Sequence, residues 1–117
     1  MVKCIKIDIK GKGVISERAS LCTSMFSQAR GLMFSLKRDL LFTFKKEDIV
    51  PLHMLFVFFP ICAIFLDSKF RIVEKAVLLP FTVYSPRKKA KHILEISINM
   101  NSAKKAKIGD VLRIKSL

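Results

Sequence analysis

Glycine and proline are scarce, with four of each in 117 residues. That scarcity excludes collagen-like repeats and loop-rich scaffolds, and an apolar fraction of 51% excludes disorder. There are only two histidines, His53 and His92, and neither stands at metal-ligand spacing with a cysteine or carboxylate, so no metal site is expected. The three cysteines, Cys4, Cys22 and Cys62, are odd in number and lack C-x-x-C spacing, which argues against a disulfide framework and leaves mostly buried thiols. No G-x-S-x-G, Walker or Rossmann pattern occurs, so no catalytic residue and no cofactor is assigned, and the reading leans away from an enzyme.

Acids are scarce too. Lys and Arg total 22 against 9 Asp and Glu, a formal charge of +13. Residues 84–117 hold nine bases and two acids, which places a basic surface toward the C-terminus. Such a field favours an anionic partner, nucleic acid among them, without naming it. The first ten residues, MVKCIKIDIK, alternate charged and apolar side chains and offer no continuous apolar core for secretion, so a cytoplasmic protein is expected.

One apolar run stands out. Residues 49–66, IVPLHMLFVFFPICAIFL, carry no formal charge over 18 positions, the length of a membrane span. Pro51 and Pro60 would interrupt a helix, and the Val, Ile and Phe content suits strands. Two buried strands joined at Phe59-Pro60 are expected, with no membrane span.

Along the chain, residues 2–9 alternate as a half-buried strand, Gly11-Lys12-Gly13 turns, and 14–22 return antiparallel. Thr23-Ser24 can cap a helix through Arg30, with Met25, Phe26 and Ala29 on one face. Residues 40–44 read as a strand and KKED at 45–48 as a charged turn; Asp67-Ser68-Lys69 is a turn because Asp and Ser bond their local backbone. Residues 71–78 and 92–98 read as strands, RKKAK at 87–91 as a connection with one helical turn, 102–107 as a short basic helix or turn, and 111–114 as a last strand. The sum is a mainly β single domain over 1–117, a small β-sandwich or barrel of about seven or eight short strands with one or two short helices.

Polar side chains inside apolar stretches draw the functional reading. His53 lies in the most apolar run, and a core imidazole satisfied by one or two hydrogen bonds is the simpler expectation for it. Glu95, between Leu94 and Ile96, should face away from them and be exposed, or else pair with a lysine. Asp39, Glu47 and Asp48 read as solvated loop charges. Ten phenylalanines and five methionines fill a core first, although such side chains can also line the mouth of an apolar pocket.

Four stretches in order, AR-GLMF at 29–34, PLHMLFVFFPICAIFLD at 51–67, VYSPRKKAKHILEI at 83–96 and IGDVLRI at 108–114, resemble the domain of unknown function 192 family, also called uncharacterised protein family 0127. The resemblance implies a mainly β fold with a small helix and no established activity. It aligns Gly31, Leu32 and Met33 with the family's G-L-M, Met54 with the Met of its W-M-K-N segment, Leu94 and Glu95 with its L-E, and Gly109 and Asp110 with its late G-D. His53 stands where many members have Trp, Phe56 where they have Asn, and Cys62 where they have Asp. Asn99 replaces a Gly, which suggests a turn at positive φ.

The function expected from these residues is that of a non-enzymatic, cytoplasmic, β-rich module binding a small apolar or amphipathic ligand, with Arg30, His53, Met54 and Glu95 around the pocket. The alternative is an anion or nucleic-acid binder using Arg87, Lys88, Lys89, Lys91, Lys104, Lys105 and Lys107.

Overall fold

The computed structural model describes residues 3–23 and 37–117. Within them the strands are β1 (Lys3–Ile9), β2 (Gly13–Cys22), β3 (Asp39–Asp48), β4 (Leu52–His53), β5 (Ile61–Leu66), β6 (Ile72–Leu78), β7 (Val83–Tyr84), β8 (Ala90–Ile96) and β9 (Leu112–Ser116). One four-residue helix, Met100–Ala103, precedes β9. Seven strands form one sheet in the order β6-β5-β8-β3-β2-β1-β9, and β4 pairs with β7 in a separate ribbon. Every pairing is antiparallel except β2 with β3.

The two ends of the sheet meet. Arg71 and Val111 form an antiparallel bridge, and Ile72 N donates to Asp110 O at 2.8 Å, Gly109 N to Ile72 O at 2.9 Å and Leu112 N to Phe70 O at 2.9 Å. The sheet is therefore rolled toward a barrel, as the mainly β expectation allowed. Its inner face holds one apolar cluster, with Ile5, Ile7 and Ile9 of β1, Ile64 and Leu66 of β5, and Leu94 and Ile96 of β8. A second cluster covers the outer face of the central strands, with Leu40, Phe42, Ala63, Phe65 and Ile93 under Met54, Val57 and Phe59.

The two layers explain the sequence pattern. β1 has one wet face and alternates, whereas all six residues of β5 are buried because both of its faces are covered. Gly11 and Gly13 take φ of 81° and 95° in the β1–β2 turn, where a side chain would be strained. Asp67 Oδ1 accepts from Lys69 N and Arg71 N, both at 2.9 Å, which is the expected Asp turn.

Several expectations are corrected. KKED at 45–48 continues β3 instead of turning, because Asp48 still pairs with Ala90. The first half of the apolar run makes only the two-residue β4 and a turn at Leu55-Phe56, since Pro51 and Pro60 withhold ladder donors; only its second half is a buried strand. RKKAK bends without a helical turn before β8 begins. Asn99 has φ −122° and acts as the helix N-cap, its side chain accepting from Ser102 N at 3.2 Å, so it serves a cap and not a left-handed turn. The helix expected at 23–30 lies outside the described residues. Among the described residues no helix is long and apolar enough to cross a membrane.

Asp39 is not a solvated loop charge. It is 4% exposed, and it accepts from Ser16 Oγ at 2.5 Å, Ser97 N at 3.0 Å and Ile98 N at 3.2 Å, joining the start of β3 to β2 and to the end of β8. Replacing Asp39 with Ala leaves buried donors without an acceptor, and urea denaturation should show a loss of about 3 kcal/mol.

Candidate functional site

β5 and β8 run side by side with Ala63 opposite Glu95, and β3 places Leu40 on the other flank of Glu95. Side chains alternate faces along a strand, so Cys62, Leu94 and Ile96 join the inner cluster while Ala63, Ile93 and Leu40 join the outer one. Glu95 therefore stands on the outer face, beside Leu40 and Ala63 of the layer that contains Met54. That layer is held by Met54 N donating to Thr82 O at 2.6 Å and Phe81 N donating to Met54 O at 2.8 Å.

The expectation of an exposed or lysine-paired Glu95 is overturned. The residue is 8% exposed, because facing away from Leu94 and Ile96 only turns it from one apolar layer into another. Burial raises its carboxyl pKa to about 7. Among the described residues no hydrogen bond or ion pair to Glu95 is found.

The other eight acids all have structural partners. Besides Asp39 and Asp67, Glu17 lies 3.8 Å from Lys6, Glu47 accepts from Ser68 N at 2.8 Å, and Asp48 accepts from Ile49 N at 2.8 Å. Arg113 Nε sits 3.5 Å from Asp8 Oδ1, an ion pair across β1 and β9 whose geometry makes no hydrogen bond. Asp110 receives Lys12 Nζ and Lys107 N, both at 2.8 Å; the lysine bond and then the amide hold its pKa below the ordinary value. Glu74 accepts from the Tyr84 hydroxyl and, at 2.9 Å each, from Arg87 N and Lys88 N. Burial works to raise the Glu74 pKa, but these donors outweigh it and the pKa is lowered.

The remaining pocket candidates do not converge. Met54 is buried in the outer layer, but His53 is exposed, because the alternation of β4 turns Leu52 inward and His53 to solvent. Arg30 lies outside the described residues. His92 is the buried imidazole: it stacks on Phe70 with centroids 4.0 Å apart, its Nδ1 is 3.0 Å from Thr43 Oγ1, and burial lowers its pKa to about 4. Cys62 faces the inner cluster, on the opposite side of β5 from Glu95's neighbour Ala63, and burial pushes its thiol pKa up despite the Lys75 charge. A raised thiol is a poor nucleophile. Phe56 has φ 57°, a conformation that the Asn of the resembling family adopts more readily.

The basic runs are brought to one strand. Glu74 of β6 anchors the amides of Arg87 and Lys88, and the next residue, Lys75, donates to Ala103 O at 2.6 Å and Ala106 O at 2.9 Å, between which Lys104 and Lys105 lie. Arg87, Lys88, Lys89, Lys104 and Lys107 are exposed, Lys105 is half-buried, and half-buried Lys91 donates to Lys45 O at 2.9 Å. Sequence reasoning missed Glu74 and Asp39 as anchors because nothing local distinguishes an acid bonded to distant amides from a solvated one.

Residues 5–114 match the sequence profile of DUF192, described as an uncharacterised ACR. The chain belongs to this family. A UPF0127 protein of Pyrococcus horikoshii is 32% identical over 96 residues, covering 80% of this chain and 84% of that one. A second UPF0127 protein, of Pyrococcus abyssi, is 34% identical over half of each chain. Two solved structures share the fold seen here at low identity. One is a protein of unknown function from Novosphingobium aromaticivorans, with TM-score 0.75, 20% identity and coverage of 96% and 84%. The other is a transcription-regulator candidate from Sinorhizobium meliloti, with TM-score 0.80, 17% identity and coverage of 97% and 93%.

Two buried titrations of opposite sense lie on opposite faces of β8. Glu95 keeps its proton in the fold up to about pH 7 while the unfolded chain loses it near 4.5, so its contribution falls as pH rises through that window. His92 stays neutral in the fold down to about pH 4, while the unfolded imidazole protonates near 6.5, so its contribution falls as pH drops. The two slopes oppose each other where they overlap. Urea denaturation across pH should find Glu95→Gln more stable than the parent at pH 8 by about 3 kcal/mol, with a stability that now climbs from acid to neutral pH.

Proposed function

We propose that the chain is a non-enzymatic, cytoplasmic binding module in which Glu95 supplies the polar contact to a small amphipathic ligand held in the outer layer. The observation that carries this reading is the exception among nine acids: six accept hydrogen bonds from the protein's own groups, Asp8 and Glu17 face a base, and Glu95, only 8% exposed, has neither among the described residues. A buried polar group without a partner is costly, and a ligand is one way to satisfy it. A carboxyl titrating near neutrality can donate as well as accept, which suits an amide, alcohol or acid head group, while Leu40, Phe42, Met54 and Phe59 offer an apolar wall. The absence of disulfides among Cys4, Cys22 and Cys62 supports a reducing compartment.

Calorimetric titration with medium-chain fatty amides and alcohols tests the reading. Binding should weaken about tenfold in Glu95→Ala, the worth of one hydrogen bond, and far less in Glu95→Gln. Identical affinity in the parent and Glu95→Ala would exclude Glu95 as the contact.

A second reading, binding to a nucleic acid, is favoured by the gathering of both basic runs around β6. The fold shared with the Sinorhizobium meliloti transcription-regulator candidate makes duplex DNA the first probe. Replacing Lys88, Lys89, Lys104 and Lys105 together with Gln should flatten the log–log salt dependence of DNA affinity by about 3 to 4, as measured by fluorescence anisotropy. An unchanged slope would remove this surface from consideration.

A further inference from the structure

The edge of the barrel where β6 and β8 end and β3 and β5 begin carries an apolar rim. Ile61 pairs with Leu78, Cys62 pairs with Ile96, and Ser97 Oγ donates to Arg38 O at 2.7 Å, so these four strand ends lie together. From this edge Val77, Leu79 and Ile98 project into solvent, and beside it Phe56, Phe58 and Phe81 form an exposed aromatic knob. Phe58 and Phe81 are 65% and 51% exposed, and their rings meet edge to face with centroids 5.3 Å apart. Phe56 packs on Phe81 at 6.1 Å.

The backbone makes this knob unusual. Phe56 and Phe81 both adopt the left-handed region, with φ of 57° and 62°, where glycine or asparagine would fit without strain. Phe81 keeps half of its surface in solvent although its backbone is strained, and such an outlier points to a role in contact.

Charge selects what makes the contact. Lys37 and Arg38 are exposed at the same edge, while Asp39 beside them is buried and bonded internally. A second copy of the chain would bring +13 against +13, which disfavours self-association. An anionic bilayer offers negative headgroups to Lys37 and Arg38 and an apolar layer just beneath them to the rings. We propose that this edge docks on the surface of an anionic membrane, with Phe58 and Phe81 entering the headgroup boundary and no segment crossing it.

The protein contains no tryptophan, so Phe58→Trp in the full chain creates a single fluorescent reporter at the contact. With vesicles of phosphatidylcholine plus phosphatidylglycerol its emission should shift to the blue, and with phosphatidylcholine alone it should not. Cosedimentation of the parent sequence with the anionic vesicles should drop about tenfold or more in the double variant Phe58→Ser, Phe81→Asn, since two rings lose their burial. Asn tolerates the φ at position 81, and an unchanged melting temperature shows that the variant is folded. The proposal is overturned if the chain ignores anionic vesicles, if the double variant binds as well as the parent, or if the reporter stays water-like on vesicles that the protein does bind. That last result would assign the binding to charge alone. A parent that sediments as a dimer and a double variant that sediments as a monomer would also overturn it, by assigning the rim to a second copy.

Discussion

Burial of β5 and β8 on both faces is the constraint from which the rest of the molecule follows. A strand pair of that kind needs two apolar layers, and the chain supplies them by different means. The inner layer comes from rolling the sheet until β6 and β9 meet, which brings Ile5, Ile7 and Ile9 against Ile64 and Leu94. The outer layer comes from the irregular segment around β4 and β7, which lays Met54, Val57 and Phe59 over Ala63, Phe65 and Ile93. The same double burial gives Glu95 its environment, since both faces of β8 are covered over most of its length.

Charge is sorted by sign. Most of the acids turn inward or bind backbone amides, where a carboxylate can accept several N–H groups at once, as Asp39, Asp67 and Glu74 do. Most of the bases stay outward on long, flexible stems. The net +13 is thus a property of the surface, produced by assigning the few acids to the framework. Glu74 and Lys75 show the economy of the arrangement, because neighbouring residues on opposite faces of β6 fix the connections that carry the two basic runs.

The DUF192 pattern survives where it serves the fold and changes where it would supply polarity. Cys62 replaces an aspartate of the resembling family at a position that faces the inner apolar cluster, and Phe56 replaces an asparagine at a turn of positive φ. The first change removes a charge from a core. The second trades backbone ease for an exposed ring, at the surface where Phe58 and Phe81 gather.

The sequence by itself determined what depends on near neighbours. Alternation placed β1 and β2, the glycines and Asp67 placed turns, and the uninterrupted run at 61–66 marked a strand buried on both sides. The ordered motifs identified the family. It misplaced what depends on residues far along the chain: KKED was read as a turn because its partner Ala90 is 42 positions beyond Asp48, and Asn99 as a left-handed turn because its capping role needs the helix it starts. Tertiary structure alone decided the fate of the polar side chains. His53 turned out to solvent, Asp39 moved from solvent into the core, and Glu95 became buried, because burial is set by what covers a face and a strand's own sequence says only which residues share it.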